Sequence, residues 1–124
     1  MPSPEHYYVG RRTRGTPVYV VSASAVDLLE HHGYRGSAAF DWGMSTPGAL
    51  ELAFALLAHS TESRPPDSIC TTFRSEVVAR LDHHGFVLGF GEIALWLLTA
   101  FSGAGEPPNG GRSGPAGALD HLRW

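Results

Sequence analysis

The densest apolar run in the chain is residues 49–58, ALELAFALLA, where Glu51 is the only charged residue. Leu50, Leu52, Phe54, Leu56 and Leu57 point all round a helix instead of along one stripe. A helix apolar on every side is a buried one, and this one is short of the ~20 apolar residues that a membrane span requires. Thr46 is placed to cap it, with Ser45 as the alternative, and Pro47 suits the first helical position because its missing N–H would have no partner there anyway. Further on, Ile69, Phe73, Val77 and Leu81 recur every four residues with Cys70 and Val78 alongside, while Arg74, Glu76, Arg80 and Asp82 take the other side. That period predicts an amphipathic helix, capped by Asp67 or Ser68 and ended by Gly85. Residues 92–101, EIALWLLTAF, predict a third helix with Trp96 as its largest side chain, ended by Gly103.

Strand signals are shorter. Residues 7–9 and 17–21 are, Pro17 aside, β-branched or aromatic and flank a turn, which predicts a hairpin with Arg11, Arg12 and Arg14 at its tip. Residues 86–88 are a third β-prone run, and 38–41 offer a fourth strand. Ser24-x-x-Asp27 followed by Leu28 and Leu29 has the form of a capping box, so residues 24–30 are expected to form a short helix, closed by His31 and His32 and stopped by Gly33. Strands, then helices, with little alternation, predict an α+β fold: a small antiparallel sheet of three or four strands packed against three helices. Residues 1–101 are expected to form one compact domain. Residues 102–124 are expected to be a flexible, disordered tail, rich in Gly and Pro, whose last residues ALDHLRW would either dock on a partner or fold back.

Charge and cysteine content narrow the class. The net charge is −3, against a general nucleic-acid binder. Every basic residue is arginine, the side chain suited to bidentate anion contacts. One cysteine, Cys70, excludes an internal disulfide framework. The opening MPSPEHYY lacks the basic-then-apolar pattern of a signal peptide. The expected location is the cytoplasm, with no membrane association.

Residues 40–57, FDWGMSTPGALELAFALL, resemble the signature F-[ED]-W-G-Y-G-G-S-G-P-A-Q-L-A-L-A-L-L of the family called domain of unknown function 6166, made up of small bacterial, archaeal and phage proteins. Tyr8-Val9-Gly10-Arg11 is similar to that family's opening Y-R-G segment, Phe73 with Val77 and Val78 to its F-x-x-x-V-V helix, and Ile93 with Trp96-Leu97 to its closing I-x-x-W-L. The resemblance spans residues 8–98 and implies no particular activity. The chain departs from the pattern at Met44-Ser45-Thr46-Pro47-Gly48, where the family is richer in glycine. Ser45 and Thr46 would alter any site that relied on close backbone approach.

Candidate chemistry gathers at the same turn. Asp41 could serve as acid, base or ligand contact and Trp42 as a stacking platform. The structural alternative is that Trp42 packs on the core helix while Asp41 accepts backbone N–H groups of the 45–48 turn. Ser45, Thr46 and Gly48 line a helix N-terminus, which favours anions, the more so if Arg11, Arg35 or Arg74 converge there. The adjacent pairs His31-His32 and His83-His84 diverge on a helix and lack ligand spacing, so no metal or cofactor is expected. Cys70 lies in an apolar stripe, as a buried structural thiol would. No G-x-S-x-G, P-loop or zinc pattern occurs. Three functions follow. The first is a non-enzymatic binding or regulatory accessory protein, of phage type or otherwise, holding a protein partner or a small anionic ligand. The second is a small hydrolase or transferase using Asp41 with a histidine such as His59. The third is a nucleic-acid accessory protein using Arg11, Arg12 and Arg14. The face of the helix carrying Trp96 would be a homodimer interface if exposed.

Overall fold

A computed structural model describes residues 6–34 and 39–105 of the chain. The fold is α+β. Strands β1 (Tyr7–Arg11), β2 (Val18–Val21) and β3 (Val26–Leu28) are followed by helices α1 (Pro47–Thr61) and α2 (Asp67–Glu76), strand β4 (Gly85–Gly89) and helix α3 (Phe90–Gly105). The four strands form one antiparallel sheet in the order β3-β2-β1-β4. The expected tail beyond residue 105, with ALDHLRW, lies outside the described residues. Among the described residues no helix is long and apolar enough to cross a membrane.

The first hairpin forms as its sequence predicts. Tyr8 faces Val20 and Gly10 faces Val18, and Arg11 donates its N–H to the Pro17 carbonyl at 3.1 Å. β4 then joins the free side of β1, with Gly10 opposite Phe86. The Phe86 ring lies directly over Gly10, where a Cβ would sit 2.1 Å from the ring, so this position admits no larger side chain while Phe86 stays in place.

The segment expected to be a helix at 24–30 is instead the edge strand β3, Val26–Leu28, paired with Tyr19–Val21. Ser24 falls in the β2–β3 turn and Asp27 within β3, and the turn is closed by Ser22, whose N–H and hydroxyl both donate to the Ala25 carbonyl. So short a segment cannot meet the cost of nucleating a helix, whereas pairing with β2 supplies its hydrogen bonds at once. The fourth strand therefore comes from 26–28 and not from 38–41, and residues 39–41 are not in a strand.

α1 is the buried helix its pattern predicts, with every residue from Glu51 to Leu57 buried. Burial of each large apolar side chain contributes ~1.5–3 kcal/mol before chain entropy is subtracted. Thr46 caps it, accepting the Ala49 N–H at 3.2 Å, and Pro47 opens it. α2 buries Cys70 and Phe73 but stops at Glu76, earlier than its four-residue period suggests. The β-branched pair Val77-Val78 is a weak continuation, and a single 3-10 turn, Val78–Arg80, follows. Leu81 is only half-buried as a result. At this break the Val78 carbonyl accepts the Gly43 N–H at 2.9 Å, tying the region after α2 to the turn before α1.

The chain divides into two compact units between Phe90 and Gly91. The second contains most of α3, which starts at Phe90, two residues before the expected start, and continues to Gly105, past Gly103. Ile93 and Trp96 are buried, and Leu95, Leu98 and Phe101 are exposed.

Candidate functional site

The turn before α1 is built around Asp41. Its Oδ1 accepts the Arg12 Nη1–H at 2.9 Å and the Trp42 N–H at 2.9 Å, and its Oδ2 accepts the Thr46 hydroxyl at 3.1 Å. Its own N–H donates to the Gly48 carbonyl. Asp41 thus binds the turn through the Thr46 side chain and the Trp42 N–H. Burial alone would raise its carboxyl pKa, but the bonds from Arg12, Trp42 and Thr46 outweigh that and hold it below the ordinary carboxylate value.

Arg12 fixes this turn to two other segments. Its Nε donates to the His83 carbonyl at 2.9 Å and its Nη2 to the Trp42 carbonyl at 3.0 Å, and the guanidinium lies 4.6 Å from the centre of the Trp42 ring. Thr16, from the same hairpin turn, donates its hydroxyl to the Phe40 carbonyl at 2.7 Å. Trp42 is fully buried and meets Phe86 edge to face, with ring centres 5.0 Å apart. One side of its ring is therefore taken by Arg12 and its edge by the core, so no open face is left for stacking. Gly43 completes the turn at φ 81°, and a Cβ there would lie 3.1 Å from the His83 backbone. A side chain would be strained on both counts.

The other expected site residues fall elsewhere. Ser45 is exposed beside the cap. Gly48 sits in the first turn of α1 with its carbonyl engaged by Asp41. Arg74 is half-buried on α2, its Nε buried without a hydrogen-bond partner, and it makes no ion pair with the Asp41 turn among the described residues. Arg35 lies outside the described residues. Arg11, Arg12 and Arg14 do not act as one cluster: Arg12 is tied inward to Asp41, and Arg11 and Arg14 are exposed.

His59, the partner of Asp41 in the enzyme reading, lies in the last turn of α1. Asp41 is bonded to the N-cap of the same helix, and the helical rise separates the two ends by roughly 20 Å. They share no cleft. His59 belongs to a different cluster, one with no signature in the local sequence. The Tyr8 hydroxyl lies 2.8 Å from His59 Nδ1 and 3.1 Å from His6 Nε2, and the three rings meet edge to face. His6 and Tyr8 are buried. Burial drives the Tyr8 phenol well above its ordinary value, partly offset by Ser60. His59 is shifted down, first by burial and then by the nearby His6, against a smaller upward pull from Glu62.

Two further titratable groups are structural. Glu51 is fully buried, and its carboxylate accepts the N–H groups of His32, Gly33 and Tyr34 at 2.6, 3.1 and 2.6 Å. Cys70 is buried, and burial pushes its thiol up to about 11, far from nucleophilic reactivity at neutral pH. Among the described residues no group of three His, Cys, Asp or Glu side chains is placed to hold a metal ion.

A cavity of about 460 Å³ opens where β1 ends and β4 begins. Val9 and Val87 contribute its apolar part, and Arg11, Arg12, Thr13 and His84 its polar rim. Gly85, opposite Arg11 in the sheet, has no side chain to fill the space. Arg11 is exposed, and no ion pair or hydrogen bond holds its guanidinium among the described residues. His84 is exposed and has Asp82 3.4 Å away, outside the lining. Of this rim, the sequence points to Arg11 as an anion contact and to Arg11 and Arg12 as nucleic-acid contacts. The others come from two segments more than seventy positions apart, brought together by strand pairing and by the Arg12 bond to the His83 carbonyl.

No curated protein and no solved structure matches this chain significantly. A family model matches residues 8–99, from the first strand through most of α3 and including the Asp41 turn. The chain therefore belongs to the Family of unknown function (DUF6166).

Proposed function

We propose that this chain is a non-enzymatic binding protein that holds a small anionic ligand at the Arg11 corner of its sheet. The observation that supports this reading is the cavity of about 460 Å³ whose polar rim is Arg11, Arg12, Thr13 and His84, with no carboxylate among its lining residues. Its volume is in the range of small-ligand pockets. Arg12 is balanced by Asp41, which leaves Arg11 as the cation available to a ligand and Thr13 as a hydroxyl donor. Val9 and Val87 offer an apolar surface for the body of the molecule. On a chain of net charge −3, a local basic corner concentrates anions where the rest of the surface repels them. An enzyme built on Asp41 finds less support, because that carboxylate is committed to Arg12, Thr46 and the Trp42 N–H. The same reading keeps the protein in the cytoplasm, in accord with its single buried thiol.

The test is an amide chemical-shift titration with inorganic phosphate, a dicarboxylate and a nucleoside monophosphate. Saturable shifts confined to residues 9–13 and 84–87, weakened about tenfold or more by Arg11→Ala and by added salt, are expected. Shifts absent from those amides with all three probes at millimolar concentration would overturn the proposal.

A further inference from the structure

The outer face of the sheet carries two cross-strand rows of apolar side chains. One runs Val26, Val21, Tyr7 and ends at Gly89; the other runs Leu28, Tyr19, Val9, Val87. Tyr7 is 50% exposed, Val26 64%, Leu28 67% and Val87 66%, and Val9, Tyr19 and Val21 are half-buried. Arg11, at one corner, is the only charged residue at an outward position of the paired strands. The alternate residues Tyr8, Val18, Phe86 and Leu88 are buried. The sheet thus has two apolar faces, of which one is open. An antiparallel sheet with a solvated face ordinarily shows polar residues there.

We propose that this face is covered by the same face of a second copy of the chain, giving a two-fold dimer in which two sheets stack. In an isologous interface the residues near the axis meet their own copies. Uncharged rows of valine, leucine and tyrosine meet themselves without repulsion, and they carry no charge pattern that would select a different partner. Stacked sheets sit ~10 Å apart with their side chains interdigitated, which suits rows of this size. The seven side chains offer on the order of 500 Å² per copy, hence roughly 1,000 Å² in total, which reaches the lower bound for a specific interface. The rival surface is the exposed side of α3, with Leu95, Leu98 and Phe101; Trp96, whose face would be a dimer interface only if exposed, is itself buried. This inference goes beyond ligand binding and does not rest on it: five of the seven side chains lie outside the cavity lining, while Val9 and Val87 belong to both, so the stacked dimer would close the apolar side of the cavity.

The test is sedimentation velocity of the full chain at up to about 200 µM, for the wild type, the double variant Val26→Lys/Leu28→Lys and Leu98→Lys. A wild-type dimer is expected, with its dissociation constant raised about tenfold or more in the double variant and unchanged in Leu98→Lys. A wild type that stays monomeric throughout overturns the inference, and so does a dimer that Leu98→Lys disrupts while the double variant leaves it intact. If circular dichroism shows that the double variant has not folded, isotope-filtered NOEs between labelled and unlabelled wild-type copies decide the matter. Intermolecular contacts at the Leu28 and Val87 methyls support the stacked dimer, and a dimer lacking them rules it out.

Discussion

Arg12 and Asp41 meet at 2.9 Å between a hairpin turn and the turn before the core helix. The pair joins three segments, because Arg12 also holds the His83 and Trp42 carbonyls. An exposed ion pair contributes little, but here both side chains are only 26% exposed and the guanidinium lies against the buried Trp42. Arg12→Ala removes the charge pair, two carbonyl contacts and the packing on the indole, and should cost about 2–3 kcal/mol in urea unfolding. Arg12→Lys should recover less than half of that, since one ammonium cannot reach three acceptors in a fork. Asp41→Asn keeps an acceptor for the Trp42 N–H and should cost about 1 kcal/mol. The depressed Asp41 carboxyl adds a pH signature. A group whose folded pKa lies below its unfolded value contributes stability that is complete above the unfolded value and lost as pH falls through the folded one. The gap between wild type and Asp41→Asn should therefore be full near neutral pH and close as pH falls below the ordinary value of 3.8. A gap that does not change with pH would show that Asp41 acts through shape and not through charge.

Glu51 offers a sharper test, because it is fully buried and all three of its short contacts are backbone N–H groups of residues 32–34. Glu51→Ala would leave three donors without their acceptor, that of Tyr34 in a buried residue, and should cost about 3–5 kcal/mol. Glu51→Gln keeps the shape but must turn its NH₂ toward at least one donor, and should cost about 1–3 kcal/mol. Hydrogen exchange at the amides of His32, Gly33 and Tyr34 reads the same bonds directly. Exchange in Glu51→Gln should rise there before it rises in α1. Wild-type protection at all three amides in Glu51→Ala would show that the carboxylate does not hold this loop.

How much of this was legible in the sequence depended on how local the cause was. The Thr46 cap, the Pro47 start and the buried character of α1 are written within a few residues, and they were read correctly. Glu51 stood out as the one charge in that helix, but its partners lie in a loop seventeen or more positions away. β3 was misread because Ser24-x-x-Asp27 has the form of a helix cap, and a three-residue edge strand gains its stability from β2 and not from its own composition. Arg12 could not be told apart from Arg11 and Arg14, since hairpin register decides which of them turns inward. The open sheet face was hidden for a related reason. YYVGR and VYVV are apolar on both alternating phases, so a two-residue period cannot say which face is buried.

The His6–Tyr8–His59 cluster was not foreseen either, and it predicts a pH dependence separate from that of Asp41. The Tyr8 hydroxyl has one proton for two imidazoles, at 3.1 and 2.8 Å. It donates to one ring and accepts from the other. Tyr8→Phe removes the bridge between two buried or half-buried rings and should cost about 1–2 kcal/mol. Burial lowers the His59 pKa from the ordinary value of 6.5. The unfolded chain then binds a proton more readily than the folded one, so stability rises with pH across the window between the lowered folded value and 6.5. On acidification, Tm should hold steady down to that ordinary value and fall below it, well before the Asp41 carboxyl titrates. His59→Gln keeps a polar side chain but cannot titrate, and should flatten this part of the curve while leaving the drop below the carboxylate range. Thermal melts of the two proteins at matched ionic strength read the difference. Parallel curves through the imidazole range would show that His59 does not carry the linkage and that its contact with Tyr8 survives protonation.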